Sequence, residues 1–404
     1  MINCELHQRK TNVFLRRTTR VKLKFGLLAR IITAIVLAAI VGLFAPEWFV
    51  RIFATFNGLF GNLLNFVVPL IIIGFIAPGI AQLGSGSGRL LGIATFFAYF
   101  STIIAGLIAY FAASTILPKF ITANTTEDMG NPNDALAQAF FTVEMPPVMD
   151  VMGALLFAFI MGVGMTVIKG DVLKRGFEEF NAIIEKVISF VIIPLLPFHI
   201  FGIFLNMTFA GQVVKILSVF AVVFILIIIL HWFMLVLQYT TAGILNGKNP
   251  FKLLNMMLPA YFTALGTQSS AATIPVTLQQ AKKTGASDKV TDFTVPLFAT
   301  IHLSGSTITI VSCAIGVMLM NGVEFTFTTM LGFVFMLGVT MVAAPGVPGG
   351  GVMAAIGLLG SMLGFDETMI ALMIALYMAQ DSFGTATNVT GDGALAIIVD
   401  KFNK

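Results

Sequence analysis

The sequence predicts an all-α polytopic membrane protein with eight transmembrane helices and two re-entrant helical hairpins arranged as inverted repeats. Three observations predict it. Of 404 residues, 57% are hydrophobic and only 10% charged, where a soluble chain carries about 25% charged residues, so most side chains never meet water. Apolar stretches that match the roughly 20 residues a helix needs to cross the hydrocarbon core recur up to residue 245. Beyond residue 250 two further apolar runs are broken at their centres, one by hydroxyl and amide side chains and one by glycine and proline.

Residues 1–23 are a basic tail. Arg9, Lys10, Arg16, Arg17, Arg20, Lys22, Lys24 and Arg30 precede the first apolar run against Glu5 alone, which places the N-terminus in the cytoplasm. A cleaved signal peptide is the competing reading. The run from Ile31 continues to Pro46 and no A-x-A site follows, which favours an uncleaved first crossing. Cys4 lies in the tail and Cys313 in an apolar run, so no disulfide framework is expected.

Residues 24–245 read as six crossings, near 24–45, 52–80, 90–117, 149–168, 187–209 and 214–245. Arg89, Lys169, Lys174, Arg175, Lys248 and Lys252 fall in alternate links and mark the cytoplasmic face. The 118–150 connection, with Glu127, Asp128, Asp134, Glu144 and Asp150 but only Lys119 as a base, falls on the opposite face. The net charge of +4 is therefore a topology signal and no nucleic-acid footprint.

Residues 250–404 form the predicted transport core. In hairpin 1 (250–283) the uncharged stretch Leu253 to Ala281 holds a polar knot, Thr267 to Pro275. Lys252 before it and Lys282 and Lys283 after it make the chain enter and leave on the cytoplasmic side. A helix over 290–322 is interrupted by Thr300 to Ser306, and hairpin 2 (325–365) is broken at Ala344 to Gly351. Bare backbone at membrane depth is tolerated only where protein or a water-filled cavity satisfies it, so both tips should face one interior site. Hairpin followed by long helix occurs twice in opposite orientation, the pattern that points to a secondary transporter's binding site.

The last helix (366–402) carries Asp381, Thr385, Asn388 and Asp392 at i, i+4, i+7 and i+11, one polar stripe on one face. An acid inside a bilayer is costly enough to be read as functional. An intramembrane aspartyl protease does not fit. Eleven helical residues separate the acids by roughly 16 Å, where a proton-sharing dyad needs about 3 Å. Walker, zinc and dinucleotide motifs are absent from the sequence, so neither ATP-driven transport nor an enzyme activity is expected.

Four segments in this order, Gln268 to Pro275, Thr300 to Ser306, Gly346 to Gly349 and Asp381 to Asp392, resemble the motifs of the dicarboxylate/amino acid:cation symporter family. The resemblance places Asp381 at the substrate ammonium and Asn388 and Thr385 at the α-carboxylate, with Ser270, Gln268, Ser306, Gly349 and Gly384 as further substrate contacts. It places Asp392 at a sodium-binding carboxylate, Asn388, Thr300, His302 and Ser304 in the same cation region, and Val342 and Ala344 as carbonyl donors to another ion. It also implies a homotrimer in the cytoplasmic membrane with both termini cytoplasmic.

The departures from the family pattern set the expected substrate. The family's Asn-Met-Asp-Gly-Thr is His302-Leu303-Ser304-Gly305-Ser306 here, which removes a carboxylate and with it one sodium site. The arginine of acidic-substrate members is Gly384, and that of archaeal members is Gln268. The expected function is therefore import of a small neutral amino acid, serine, threonine or alanine, with Na+. The alternatives are coupling to H+, transport of an acidic amino acid, or a transporter-like sensor or channel. His302 reads either as a neutral core group or as a proton carrier, and the sequence shows it no acidic partner. His199 and His231 have no ligand-spaced partners and read as packing or interface residues.

Overall fold

A computed structural model of the chain describes residues 27–83, 88–121, 136–211, 213–342, 344 and 348–403. The basic tail, Cys4, the acids Glu127, Asp128 and Asp134, and Gly346 of the second tip lie outside the described residues. Every regular element described is helical: α1 (Leu27–Val41), α2 (Glu47–Leu83), α3 (Gly88–Ile116), α4 (Val151–Val167), α5 (Val172–Val187), α6 (Ile193–Phe209), α7 (Val213–Asn246), α8 (Pro250–Thr267), α9 (Ser270–Lys283), α10 (Asp288–Ile301), α11 (Ser304–Met320), α12 (Phe327–Met341), α13 (Gly350–Leu363) and α14 (Glu367–Phe402). Among the described residues, six helical stretches are long and apolar enough to cross a membrane: Glu47–Ala81, Arg89–Lys119, Val172–Phe209, Ile216–Asn246, Asp288–Met320 and Glu367–Phe402.

Of the expected crossings, those near 24–45 and 149–168 hold the shorter helices α1 and α4, which are not among these six, and one link differs from the sequence reading. The expected link before residue 187 is already helical from Val172, and α5 runs through a π-helical turn, Ile188–Ile192, into α6. The sequence of α5 is too charged for a crossing, but Phe177, Phe180, Ile184 and Val187 form an apolar face at helical spacing, and α5 packs on α2. Two prolines account for the local geometry. Pro194 begins α6 and cannot donate a backbone hydrogen bond to the preceding turn, where the wide turn sits. Pro78 inside α2 leaves the Gly74 carbonyl without its helical donor, and Asn181 Nδ2 of α5 donates to that carbonyl at 2.9 Å.

The two broken runs each fold as a pair of helices packed on one another, α8 with α9 and α12 with α13. The first turn-back is made by Gln268, the one described non-glycine residue with positive φ (53°), followed by Ser269, whose hydroxyl caps α9 by accepting from Ala272 N at 3.2 Å. The second reaches Gly349, at φ 76°, which caps α13. A β-carbon at Gly349 would also lie 2.7 Å from Met378 Sδ, so both the backbone angle and the packing call for glycine.

Helix α14 is the axis of the molecule, buried almost throughout from Met369 to Asp400 and packed on α7, α8, α9, α10, α11 and α13. Buried apolar residues form two clusters. One takes α7 up to Met234, α11 from Leu303 onward and α14 up to Met378. The other takes α7 from Leu235, α10 up to Ile301 and α14 from Ala386. The boundary between the clusters thus falls after Met234 on α7, at His302 between α10 and α11, and between Met378 and Ala386 on α14, the stretch that holds Asp381 and Thr385.

Candidate functional site

The sequence dictates that α14 must carry its polar stripe into the interior, because apolar turns precede and follow it. Asp381 is 3% exposed, Asn388 2% and Asp392 1%. Thr385 is buried beside them. A buried carboxylate or amide must find partners, and the helix breaks supply them.

At Asp381, Oδ2 accepts from Gly349 N at 2.8 Å, so the carboxylate sits against the positive N-terminus of α13. The Tyr377 hydroxyl lies beside Asp381 and Ser306. Two turns along, Asn388 Oδ1 accepts from Gly305 N at 2.7 Å and Ser306 N at 3.3 Å, two donors that the start of α11 leaves free. Those bonds fix the amide orientation, and Asn388 Nδ2 donates to Ser306 Oγ at 3.0 Å. Gly305 cannot be larger: a β-carbon there would strike the Gly384 carbonyl and lie 2.7 Å from Thr387 Cβ. Asp381, Asn388, Ser306 and Gly349 are therefore joined in one buried polar centre, with Gly384 against the same turn and Thr385 between the two polar residues of the stripe.

A second centre surrounds Asp392. Its Oδ1 lies 2.8 Å from His302 Nδ1, the acidic partner that the sequence reading did not find. His302 Nε2 is 3.1 Å from Ser101 Oγ of α3 and 3.3 Å from Gln238 Nε2 of α7. Gln238 Nε2 also donates to Ser101 Oγ at 3.0 Å and to Ser304 Oγ at 3.3 Å. Gly391 makes room for this packing, since a β-carbon there would lie 2.6 Å from Gln238 Oε1. The arrangement presents an imidazole N–H to the carboxylate and leaves the far ring nitrogen among a hydroxyl and an amide.

Other expected site residues lie apart from these bonds. Ser270 is buried at the first position of α9 and Gln268 is half-buried beside it, and neither is among the side chains hydrogen-bonded to the α14 stripe. Thr300 is exposed, with its hydroxyl donating back to Leu297 O at 2.7 Å, so it is not brought to Asp392. Val342 caps α12 and Ala344 is buried, with its N–H 3.4 Å from Met341 O. Among the described residues no group of three or more His, Cys, Asp and Glu gathers as a metal site, so a hard cation would depend on hydroxyl and carbonyl oxygens beside Asp392.

Sequence reasoning missed Ser101, Gln238 and the role of His231, whose Nε2 is 3.0 Å from Gly305 O. A signal was present. His231 and Gln238 stand seven residues apart in α7, which holds the most apolar of the six candidate spans, one face by spacing, and polar groups inside a span are functional candidates.

Known proteins share this chain's length and pattern. A protein of Acinetobacter baylyi named serine/threonine transporter SstT is 26% identical over 403 residues, covering 95% of this chain and 98% of its own. Proteins with the same name from Streptococcus suis and Streptococcus thermophilus are 27% and 24% identical, covering 81% and 93% of this chain and 92% and 96% of theirs. The profile of the sodium:dicarboxylate symporter family matches residues 27–402, and with the apolar helices above this makes the chain a multi-pass membrane transporter that belongs to the sodium:dicarboxylate symporter family.

Proposed function

We propose that this protein is a secondary symporter that imports a small neutral amino acid of the serine or threonine kind together with sodium. The observation that carries the reading is the composition of the Asp381–Asn388 centre. It offers one carboxylate for an ammonium, and amide, hydroxyl and backbone N–H donors for a carboxylate, the complement of a zwitterion. It offers no cation for an acidic side chain. From Leu253 onward the bases are Lys282, Lys283, Lys289, Lys401 and Lys404. Lys282 pairs with Asp292 at 2.6 Å, and Lys283 donates to Gln280. The relatives' printed name, serine/threonine transporter, supports the same class.

In this reading Asp381 holds the ammonium and Asn388 and Thr385 the carboxylate, with Ser306, Gly349, Gly384, Ser270 and Gln268 shaping the rest. Eight crossings and two hairpins, a homotrimer and cytoplasmic termini complete the proposal. The test is a competition panel on the purified protein in proteoliposomes. Serine, threonine and alanine should displace one another, and aspartate and glutamate should compete poorly because a side-chain carboxylate would be buried unpaired. Preferential aspartate uptake would overturn the assignment.

A second reading, coupling to a proton, rests on the buried His302–Asp392 contact at 2.8 Å. With that carboxylate engaged by an imidazole, sodium keeps fewer anionic ligands, and fewer sodium ions should accompany each substrate than in relatives that retain the additional aspartate.

A further inference from the structure

His231 is a buried histidine to which symport assigns no task. It is 1% exposed on α7. Its Nε2 lies 3.0 Å from Gly305 O and 3.2 Å from Thr309 Oγ1, and Thr309 Oγ1 itself donates to Gly305 O at 3.1 Å. A carbonyl only accepts, so Nε2 carries the proton and Nδ1 does not. Among the described residues, His231 Nδ1 is buried without a hydrogen-bond partner. That orphaned nitrogen is a cost an aliphatic residue would avoid, so packing alone is a poor account of a histidine here.

The peptide unit it grips explains the choice. The carbonyl of Gly305 and the N–H of Ser306 belong to one planar unit and point to opposite sides. The carbonyl goes to His231, and the N–H goes to Asn388 Oδ1 at 3.3 Å. Helix α7 is thereby connected to Asn388 through a single rigid plane. No side chain at Gly305 can pad that plane from the α14 side, because the Gly384 carbonyl and Thr387 already fill the space.

We propose that His231 is a positioning residue for substrate binding: by fixing the Gly305–Ser306 peptide it sets the orientation of the Asn388 amide, whose Nδ2 faces the centre. The inference rests on the symport reading, in which Asn388 meets the substrate carboxylate. The experiment compares His231→Gln, whose amide nitrogen reaches the place of Nε2, with His231→Asn, whose amide stops near the place of Nδ1. Serine uptake is measured in proteoliposomes against concentration. His231→Asn should raise KM by about tenfold with Vmax per folded transporter within about twofold, a split that general destabilisation would not give, and His231→Gln should remain within about threefold of wild type. In an Asn388→Ala background His231→Asn should add no further rise. Thr309→Val, which removes the other donor to the same carbonyl from a different helix, should raise KM in the same direction. An unchanged KM in His231→Asn or Thr309→Val, an equal rise in His231→Gln, or additivity with Asn388→Ala would overturn the proposal. Wild-type protein that takes up no serine would instead remove the symport reading beneath it.

Discussion

Asp381 engages Gly349 N–H, the cap of α13, with one carboxylate oxygen, which links this acid to the second helix pair. An asparagine there still offers an oxygen to that N–H, so Asp381→Asn should fold and assemble. It removes the counter-charge for a buried ammonium, a loss of about 3 kcal/mol or more in substrate affinity. Calorimetric titration of the detergent-purified variant with serine measures this, and near-native affinity would remove the role given to Asp381. Gly384 is the complementary position. A β-carbon there would make only ordinary contacts, 3.5 Å to Ser306 N and to Thr309 Oγ1, so the side chain points at the Gly305–Ser306 turn. Gly384→Arg should place a cation in the centre and move preference toward aspartate, which the same competition panel reads; unchanged selectivity would contradict this orientation.

At the scale of elements, the helices were legible wherever the chain's own neighbours determine them. The apolar runs, the polar interruption at Thr300 to Ser306, which the structure places at His302 and Leu303 between α10 and α11, and the stripe on α14 all follow from local spacing. What spacing cannot show is which distant group answers a need created locally. His302 and Asp392 are 90 residues apart in sequence, and Ser101 and His302 are 201 apart. The same holds for α5. Its charge made it read as a link, while its place is set by Asn181 answering the carbonyl that Pro78 orphans in α2. Asn181→Ala should therefore lower stability by about 1–3 kcal/mol, the cost of a buried unsatisfied carbonyl. Thermal unfolding in detergent tests this, and an unchanged midpoint would show that α5 is held by its apolar face alone.

In the whole molecule the two apolar clusters meet on α7, at the break between α10 and α11, and on α14. Two centres share that seam. One joins Asp381, Asn388, Ser306 and Gly349, the centre proposed for the zwitterion; the other couples Asp392 to His302, Ser101, Gln238 and Ser304. The link between them is short, since Gly305 and Ser306, bonded to Asn388, directly follow Ser304 in the same turn. His302→Asn removes the imidazole and frees the carboxylate for a cation. If sodium is the coupling ion, this variant should keep sodium-driven uptake and show a steeper sodium dependence. If the proton is, it should lose all drive.

The most direct measurement is therefore serine accumulation by the wild-type protein in proteoliposomes under two imposed gradients, sodium without a pH difference and protons in rigorously sodium-free buffer. The account predicts concentrative serine uptake under the sodium gradient. Full accumulation under the proton gradient alone would contradict sodium coupling, and no accumulation under either would contradict symport itself.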